Sequence, residues 1–144
     1  MSAAEPADRV AAVGDELPPF TAVADPEHMK TIAALLGDPN MIHLDPNVSA
    51  ALGFGERVVN QGPINLGWVH TMLVRWAGGA DRVRSSRFRF RDNVFGGERV
   101  VAGGRVTAVG SGEIECEVWL DVERDGVVVR AVSGTAVVAR VGRA

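Results

Sequence analysis

The sequence predicts an α+β fold with one long buried helix and an antiparallel β-sheet. The first half of the 144 residues carries helical patterns, whereas the second half consists of alternating or β-branched runs separated by glycine turns. The helical pattern of residues 63–76 is apolar on most sides, which is typical of a helix inside a core. Because helices and strands are segregated along the chain, their order favours an antiparallel sheet over a parallel one.

Composition narrows the class of protein. At 144 residues the chain has the length of one domain, and 47% apolar residues are enough for a core. A formal net charge of −3 argues against binding to nucleic acid or to an anionic membrane. No apolar run is long enough to cross a bilayer. Cys116 is the only cysteine, so no intrachain disulfide can form and we expect a reducing, cytoplasmic environment.

The start of the chain differs from the rest. Residues 1–13 are rich in alanine but include Glu5, Asp8 and Arg9, and they lack the charged-then-apolar order of a signal peptide. We therefore predict a flexible leader over residues 1–13 and one domain over residues 14–144.

Two short elements open the domain. Residues 17–23 predict a strand, and Pro18-Pro19 restrict its start to an edge or a bulge. A helix then begins with Asp25 as N-cap and Pro26 at its first position, and it ends at Gly37. The predicted buried face of this helix consists of Met29, Ile32, Ala33 and Leu36.

Two more helices follow. Residues 46–52 predict a short helix capped by Asp45, and Pro63 is predicted at the first position of the main helix, residues 63–76. His28 and His70, which lie within the predicted helices, have structural interpretations. We expect His28 to be solvated and His70 to be satisfied by a contact on the flank of the main helix.

The second half predicts four strands joined by tight turns. Asp125-Gly126 is a strong signal for a two-residue hairpin. The predicted strands are residues 84–93, 98–109, 114–123 and 127–141.

The most reactive stretch is residues 37–46, with the sequence GDPNMIHLDP. Its turn-forming residues predict an irregular loop rather than a helix or strand. Asp38 and His43 are an acid and a general-base candidate that could share one bound water, and Asn40 could orient either of them. The structural alternative is that Asp38 caps a turn, Asn40 supplies a turn and His43 lies on the surface. For Asp45, capping of the next helix is favoured over a catalytic role.

This stretch, together with the Gly-Phe pair at residues 53–54, resembles the signature of the MaoC-like (R)-specific enoyl-CoA hydratases. That pattern reads Gly-Asp-x-Asn-Pro-(Ile/Leu)-His-x-Asp, and Met41 stands here in place of its proline. The resemblance extends to residues 14–20, similar to the family's opening strand, and to residues 95–98, similar to a later glycine turn. It implies the single hotdog fold, with the helix of residues 63–76 wrapped by the sheet.

The resemblance also implies an activity. It would make the chain a hydro-lyase that interconverts trans-2-enoyl-CoA and (R)-3-hydroxyacyl-CoA, with Asp38, His43 and Asn40 as catalytic residues. Gly62 matches the family glycine whose N–H binds the thioester oxygen, although Gln61 replaces the usual histidine and Pro63 offers no second N–H. Coenzyme A enters only as part of the substrate. We expect no redox cofactor and no metal, because the sequence has no cysteine cluster and no histidine pair at ligand spacing.

Three arginines alternate with phenylalanines in residues 87–91. The phenylalanine face should pack on the buried helix, and the opposite face carries Arg87, Arg89 and Arg91. These arginines are either a solvated surface or a site for the phosphates of coenzyme A, since guanidinium groups match phosphate geometry.

Substrate and assembly stay open at this stage. Residues 60–79 look similar to small actinobacterial MaoC-like subunits that hydrate steroid side-chain thioesters as heteromers, which points to a bulky acyl group. The alternatives are a dehydratase subunit for acyl groups on a carrier protein, a non-catalytic hotdog subunit that completes a partner's site, and a hotdog thioesterase. Because a single unit leaves a sheet edge uncovered, we expect a homodimer or a heteromer with a second MaoC-like chain.

Overall fold

The protein is described by a computed structural model over residues 11–140. Within this range three α-helices and five β-strands form, and two short 3₁₀ turns, Met41–His43 and Ala80–Arg82, lie between them. The helices are α1 (Pro26–Leu36), α2 (Pro46–Ala51) and α3 (Gly62–Ala77). The strands are β1 (Phe20–Val23), β2 (Val83–Phe90), β3 (Arg99–Val109), β4 (Glu113–Arg124) and β5 (Val127–Ala139).

The five strands form one antiparallel sheet in the order β1-β3-β4-β5-β2. The two long hairpins, β3–β4 and β4–β5, make its centre, and β1 and β2 are its edges. Asp125 and Gly126 both have positive φ, 52° and 75°, so the predicted two-residue hairpin turn is confirmed. The α+β class with an antiparallel sheet is also confirmed.

Helix α3 lies against one face of this sheet and supplies much of the core. Its inner side buries Val69, Met72, Leu73 and Trp76 against alternate residues of β3, β4 and β5. The burial of α3 is therefore as predicted, but its start is one residue early. Gln61 is the N-cap, Gly62 is the first helical residue and Pro63 is the second.

Helix α1 begins and ends as its sequence predicts. The Asp25 carboxylate accepts a hydrogen bond from the Glu27 N–H at 2.9 Å, and Gly37 ends the helix with a left-handed φ of 62°. Met29 and Ala33 are buried. The prediction for Leu36 is wrong, because its side chain is 57% exposed at the end of α1, beyond the core.

Strand ends differ from the predictions for identifiable reasons. Strand β1 starts only at Phe20, because the preceding Pro18-Pro19 have no N–H groups for a ladder. Strand β2 stops at Phe90, because the N–H groups of Arg91 and Asp92 both donate to the Ala131 carbonyl and end the regular pairing.

The predicted leader falls mostly outside residues 11–140, so the boundary at residue 13 stays a prediction. Ala11 packs against the core, and the Ala12 N–H donates to the Asp15 carboxylate at 2.9 Å. Among the helices of the described chain, none has the length and apolar character needed to span a membrane.

Candidate active site

The loop after α1 brings an acid and an imidazole together. Gly37 turns the chain out of the helix, and the Asp38 N–H then donates to the Ala33 carbonyl at 3.0 Å. The loop was predicted to be irregular, but it contains one 3₁₀ turn, Met41–His43. This turn carries His43 back toward Asp38, so that the Asp38 Oδ2 lies 3.5 Å from the His43 Nε2.

The orientation of His43 is set by the main chain that precedes α3. Its Nδ1 lies 2.6 Å from the carbonyl oxygen of Val59, and the residue is buried. Because a carbonyl oxygen only accepts hydrogen bonds, Nδ1 carries the proton in this contact. In the neutral imidazole, Nε2 is then an acceptor, and it faces the Asp38 carboxylate.

In that neutral tautomer, two acceptors lie side by side in the loop. A carboxylate oxygen and an unprotonated nitrogen cannot hydrogen-bond to each other, but each can accept a hydrogen from one water molecule about 2.8 Å away. Such a water would be held by both hydrogens, with its oxygen lone pairs directed away from the pair. This is the arrangement that general-base activation of water requires.

Asn40 acts through the turn. Its main-chain N–H donates to the Asp38 Oδ1 at 3.0 Å, and its side-chain Oδ1 accepts from the Ile42 N–H at 3.2 Å. The amide thus caps the 3₁₀ turn that carries His43, and the backbone of the same residue binds Asp38. The side chain of Asn40 thus has the role of a turn residue, which was the structural alternative. Asn40 orients Asp38 through its main-chain N–H and His43 through the cap of the turn.

Met41 occupies the first position of this turn, where the resembling family has proline. Its carbonyl accepts hydrogen bonds from the Leu44 and Asp45 N–H groups, at 3.0 and 2.8 Å, and its side chain is exposed. Since the first position of a helical turn suits proline without requiring it, methionine leaves this turn intact.

A second group of contacts joins the loop to the start of α3. The Val59 N–H donates to the Ile42 carbonyl at 2.9 Å, so Val59 binds the loop through both of its main-chain groups. The Gln61 Nε2 donates to the Met29 carbonyl of α1 at 2.8 Å, whereas the buried Gln61 Oε1 has no hydrogen-bond partner among residues 11–140. The sequence reasoning missed the contacts of Val59 and Gln61, because neither a main-chain acceptor nor the burial of a glutamine leaves a signal in a sequence.

Gly62 is the first residue of α3, so its N–H has no acceptor within the helix. The Phe90 ring covers this position, because a Cβ added to Gly62 would lie 3.1 Å from the Phe90 Cζ. Pro63 follows as the second residue and has no N–H, as the sequence indicated. The free N–H and the positive end of the helix dipole make Gly62 suited to bind an oxygen that gains negative charge.

The three arginines of residues 87–91 lie on the other face of the sheet. Phe88 packs toward the core and against the ring of His70, 5.3 Å away, whereas Arg87, Arg89 and Arg91 are exposed. They line a groove of about 600 Å³ with Thr107, Glu117, Ser133 and Thr135. The face that carries the arginines is thus opposite the face that carries α3, and their contact with coenzyme A phosphates stays a prediction.

Two grooves flank α1. One, of about 470 Å³, is lined by Asp38 together with Lys30, Ala33, Ala34 and Leu44. The other, of about 410 Å³, lies between α1 and α3 and is mostly apolar. Its walls are Ile32, Leu36, Pro63, Ile64, Gly67 and Trp68, with His28 and Thr71.

The turn before β3 holds a third acid that the sequence did not single out. Both carboxylate oxygens of the buried Glu98 accept hydrogen bonds from Arg124, each at 2.8 Å, and the Phe95 N–H donates to Oε1 at 2.7 Å. Burial by itself would raise the pKa of Glu98. The hydrogen bonds from Arg124 and Phe95, with the positive charges of Arg124 and Arg57, outweigh burial and lower this pKa.

The remaining candidates have structural roles. Asp45 accepts from the Asn47 N–H at 2.9 Å and caps α2, as predicted. The His70 Nε2 lies 3.1 Å from the Ser86 hydroxyl, and His28 is largely exposed. No cluster of potential metal ligands occurs among residues 11–140.

Residues 9–128 match the family model described as MaoC like domain. The chain belongs to the MaoC-like dehydratase family. The resemblance based on residues 37–46 is therefore confirmed, and the single hotdog fold with it. No curated protein sequence matches the chain significantly.

Several solved structures have a similar fold over nearly the whole length of this chain. The (R)-hydratase from A. caviae involved in PHA biosynthesis is 25% identical with a TM-score of 0.79, covering 90% of this chain and 97% of that one. The ChsH1–ChsH2 complex from Mycobacterium tuberculosis gives 23% identity and a TM-score of 0.79, covering 92% and 100%. The HadBC (3R-hydroxyacyl-ACP dehydratase) complex from Mycobacterium tuberculosis is 15% identical with a TM-score of 0.68, and the match covers 89% of this chain and 98% of that one.

Proposed function

We propose that this MaoC-like protein is a hydro-lyase that interconverts trans-2-enoyl-CoA and (R)-3-hydroxyacyl-CoA, with Asp38 and His43 as its acid–base pair. The observation that carries the proposal is the 3.5 Å approach of the Asp38 Oδ2 to a His43 Nε2 whose tautomer is set by the Val59 carbonyl. The pair is made of two acceptors that can hold the two hydrogens of one water.

In the hydration direction, the water oxygen attacks C3 of the enoyl thioester. One hydrogen of this water passes to the pair, and a new C3–O bond forms while the double-bond electrons move toward the thioester carbonyl. The pair then returns a proton to Cα, so that one water is added in total. Nothing is oxidised or reduced, and for this reason we expect no redox cofactor.

The thioester oxygen gains negative charge during this step. We assign its stabilisation to the Gly62 N–H and the N-terminal end of α3. Pro63 cannot donate, so Gly62 has no neighbouring N–H to share the task at the next position.

The acyl group is assigned to the apolar groove between α1 and α3. This groove begins at Pro63 and Ile64, directly after Gly62, and its volume of about 410 Å³ supports a medium or bulky acyl group, such as a steroid side chain. An acyl group on a carrier protein is the alternative substrate. A carrier-linked substrate would give turnover with the acylated carrier protein and little with coenzyme A thioesters.

The assembly is proposed to be a dimer, either of two copies or with a second MaoC-like chain, in a reducing cytoplasm. Strand β2 is an open edge of the sheet, and an uncovered edge is a site for pairing with another chain. The two similar mycobacterial structures are named as complexes of two different chains, which supports the heteromer for this family member.

The test is hydration of enoyl-CoA substrates, from crotonyl to a sterol side-chain analogue, followed by the loss of enoyl-thioester absorbance. Wild type should turn over at least one substrate, and His43→Ala should lose about 10²- to 10⁴-fold in kcat. The matched control is His70→Asn, which alters a histidine outside the loop. Equal activity of wild type and His43→Ala would reject the assignment of the pair.

Two rival functions give other results. A thioesterase would release free thiol, which hydration does not. A non-catalytic subunit would show no turnover until a partner chain is added, and Asp38→Asn in this chain would then leave the activity of the complex unchanged.

A further inference from the structure

The open edge strand β2 has an uneven charge distribution. Residues of one strand alternate between the two faces of a sheet, so Arg87 and Arg89 share the outer face of β2, and Arg91 continues the row just beyond its end. Arg87, Arg89 and Arg91 together form the arginine row of β2. Arg91 donates to the Ser133 hydroxyl at 3.0 Å, and within residues 11–140 neither Arg87 nor Arg89 has an ion-pair partner.

The neighbouring strands do little to balance this charge. The residues paired with Arg87 and Arg89 on β5 are Thr135 and Ser133, which are uncharged. Glu117 lies one strand further in, beside Thr135, and it is the single carboxylate among the residues that line the groove of the arginine row. The edge that another chain would meet therefore carries an excess of positive charge.

The same edge also exposes apolar surface on the inner face. Phe90, at the end of β2, is 54% exposed although it covers Gly62. The edge β1 is different, because it has only four residues against the eight of β2. The length of β2, its unpaired backbone groups and the exposed Phe90 make it the edge that a partner strand would cover.

A second copy of the chain fits this edge poorly. If two copies extended one sheet with their helices on the same side, directly opposed residues of the antiparallel strands would lie on the same face. Pairing is centred on a residue when that residue lies directly opposite its own copy. If the centre is any residue from 87 to 90, an arginine of one strand lies directly opposite an arginine of the other, at about 5 Å between Cβ atoms. Pairing centred on residue 86 makes the two Arg87 side chains diagonal neighbours. Like charges in these positions destabilise a sheet.

We propose that β2 pairs with the edge strand of a different chain, one that carries acidic side chains on its outer face opposite Arg87 and Arg89. Each carboxylate would lie across from a guanidinium, and the partner would also cover Phe90. This inference sharpens the assembly part of the proposed function but not its chemistry. Association is measured without turnover, so a failure of the proposed pairing would not imply a failure of the proposed reaction, and the reverse also holds.

The probe for this partner is a charge-reversed copy of the same chain, Arg87→Glu/Arg89→Glu. Wild type alone and the reversed copy alone should each associate weakly, and their mixture should form a 1:1 complex. Sedimentation velocity, with one species carrying a fluorescent label, measures all three. The complex should weaken between about 50 mM and about 500 mM salt, because salt screens exposed charges, whereas any association of wild type alone should strengthen.

The matched control is Arg75→Glu/Arg99→Glu, which changes net charge equally at two exposed arginines outside β2. It should form no complex with wild type beyond the association of wild type with itself. A second variant, Arg87→Gln/Arg89→Gln, removes the repulsion without adding charge. It should associate with itself about tenfold more tightly than wild type.

Amide hydrogen exchange locates the contact. In the mixture of wild type with the reversed copy, protection should increase at the amides of β2. Protection elsewhere, or a mixture that does not associate, would overturn the proposal. A wild-type homodimer that is tight at low salt would also overturn it. So would a homodimer that forms only when coenzyme A is added, since the arginine row would then bind phosphate between two copies.

Discussion

Asp38 in the loop of residues 38–45 is a partly buried acid and Glu98 at the end of the turn of residues 92–98 is a buried one, and the two are held very differently. Glu98 is buried, and Arg124 binds both of its oxygens. Asp38 receives one main-chain N–H on Oδ1, and its Oδ2 lies 3.5 Å from the Nε2 of His43. Among the described residues no arginine or lysine forms an ion pair with Asp38.

A structural acid and a reactive acid are expected to differ in this way. Both oxygens of the Glu98 carboxylate accept hydrogen bonds from Arg124, and Oε1 also accepts one from the Phe95 N–H, so little of this carboxylate is left for a substrate. A carboxylate oxygen 3.5 Å from an imidazole nitrogen, as in Asp38 and His43, can hold a water or a proton between the two groups. Each of the following variants tests this contrast.

Asp38→Asn should reduce kcat for enoyl-CoA hydration by about 10²- to 10⁴-fold and leave the melting temperature nearly unchanged. The amide keeps the shape and the acceptor for the Asn40 N–H, but it cannot take up a proton. Asp45→Asn is the matched control, because asparagine caps a helix as well as aspartate does. A large loss of stability in Asp38→Asn, with kcat retained, would make Asp38 structural and remove the contrast.

Gly62→Pro should lower kcat by about 10²- to 10³-fold, because it removes one oxyanion N–H. Gln61 already has a ψ of 140°, which is compatible with a following proline. Gly62→Ala adds the same Cβ against Phe90 but keeps the N–H, so it serves as the control. If both variants lose activity equally, crowding by Phe90 is the cause and the N–H has no special role.

Glu98→Gln should lower the free energy of unfolding by about 2 kcal/mol, because it weakens the charge-assisted hydrogen bonds from Arg124, which keeps its contacts with Asp92 and the Asn93 carbonyl. Chemical denaturation monitored by circular dichroism gives this value. Glu123→Gln alters an exposed glutamate of β4 and should change stability by less than about 0.5 kcal/mol. An activity loss in Glu98→Gln that exceeds its loss of folded protein would contradict a purely structural role.

The contribution of Glu98 should depend on pH in a defined direction. Because the pKa of Glu98 in the folded protein is lowered from its usual value of 4.5, its stabilising effect is complete above that value. It is lost as the pH falls through the lowered folded pKa. The stability difference between wild type and Glu98→Gln should therefore shrink as the pH falls below about 4.5. A difference that stays constant down to pH 3 would mean that the carboxylate charge is not responsible.

Gly67 gives the smallest effects and tests the assigned acyl groove. A Cβ added there meets no atom within 4 Å, so Gly67→Ala should raise stability by about 1 kcal/mol without changing activity. Gly67→Phe should fill part of the groove and lower kcat/KM for long acyl groups more than for crotonyl. Equal loss for all chain lengths would place the acyl group elsewhere.

Much of this fold was predictable because its signals are local. The caps of α1 and α2 at Asp25 and Asp45, the end at Gly37 and the hairpin at Asp125-Gly126 depend on backbone preferences of one or two residues. The apolar pattern of α3 and the segregation of helices from strands then gave the class. The prediction for Leu36 was wrong because the burial of a side chain depends on tertiary neighbours, and the core ends before Leu36.

The site was predictable in its residues but not in its connections. The loop motif indicated Asp38, Asn40 and His43, the family resemblance added Gly62, and the family match supports that resemblance. That Asn40 caps the turn of His43, and that Phe90 covers Gly62, follows from contacts that cannot be read along the chain.

The class of fold, the limits of most elements and the candidate site residues could be inferred from the sequence, because turn, cap and periodicity preferences act over a few neighbouring residues. Which acid is neutralised by an arginine and which is not depends on the tertiary structure. The Arg124 that neutralises Glu98 comes from 26 residues away, and the carbonyl that sets the tautomer of His43 comes from 16 residues away. The tertiary structure also put the arginine row on the face opposite α3. Protonation and charge balance depend on distances between groups, and those distances exist only after the chain has folded.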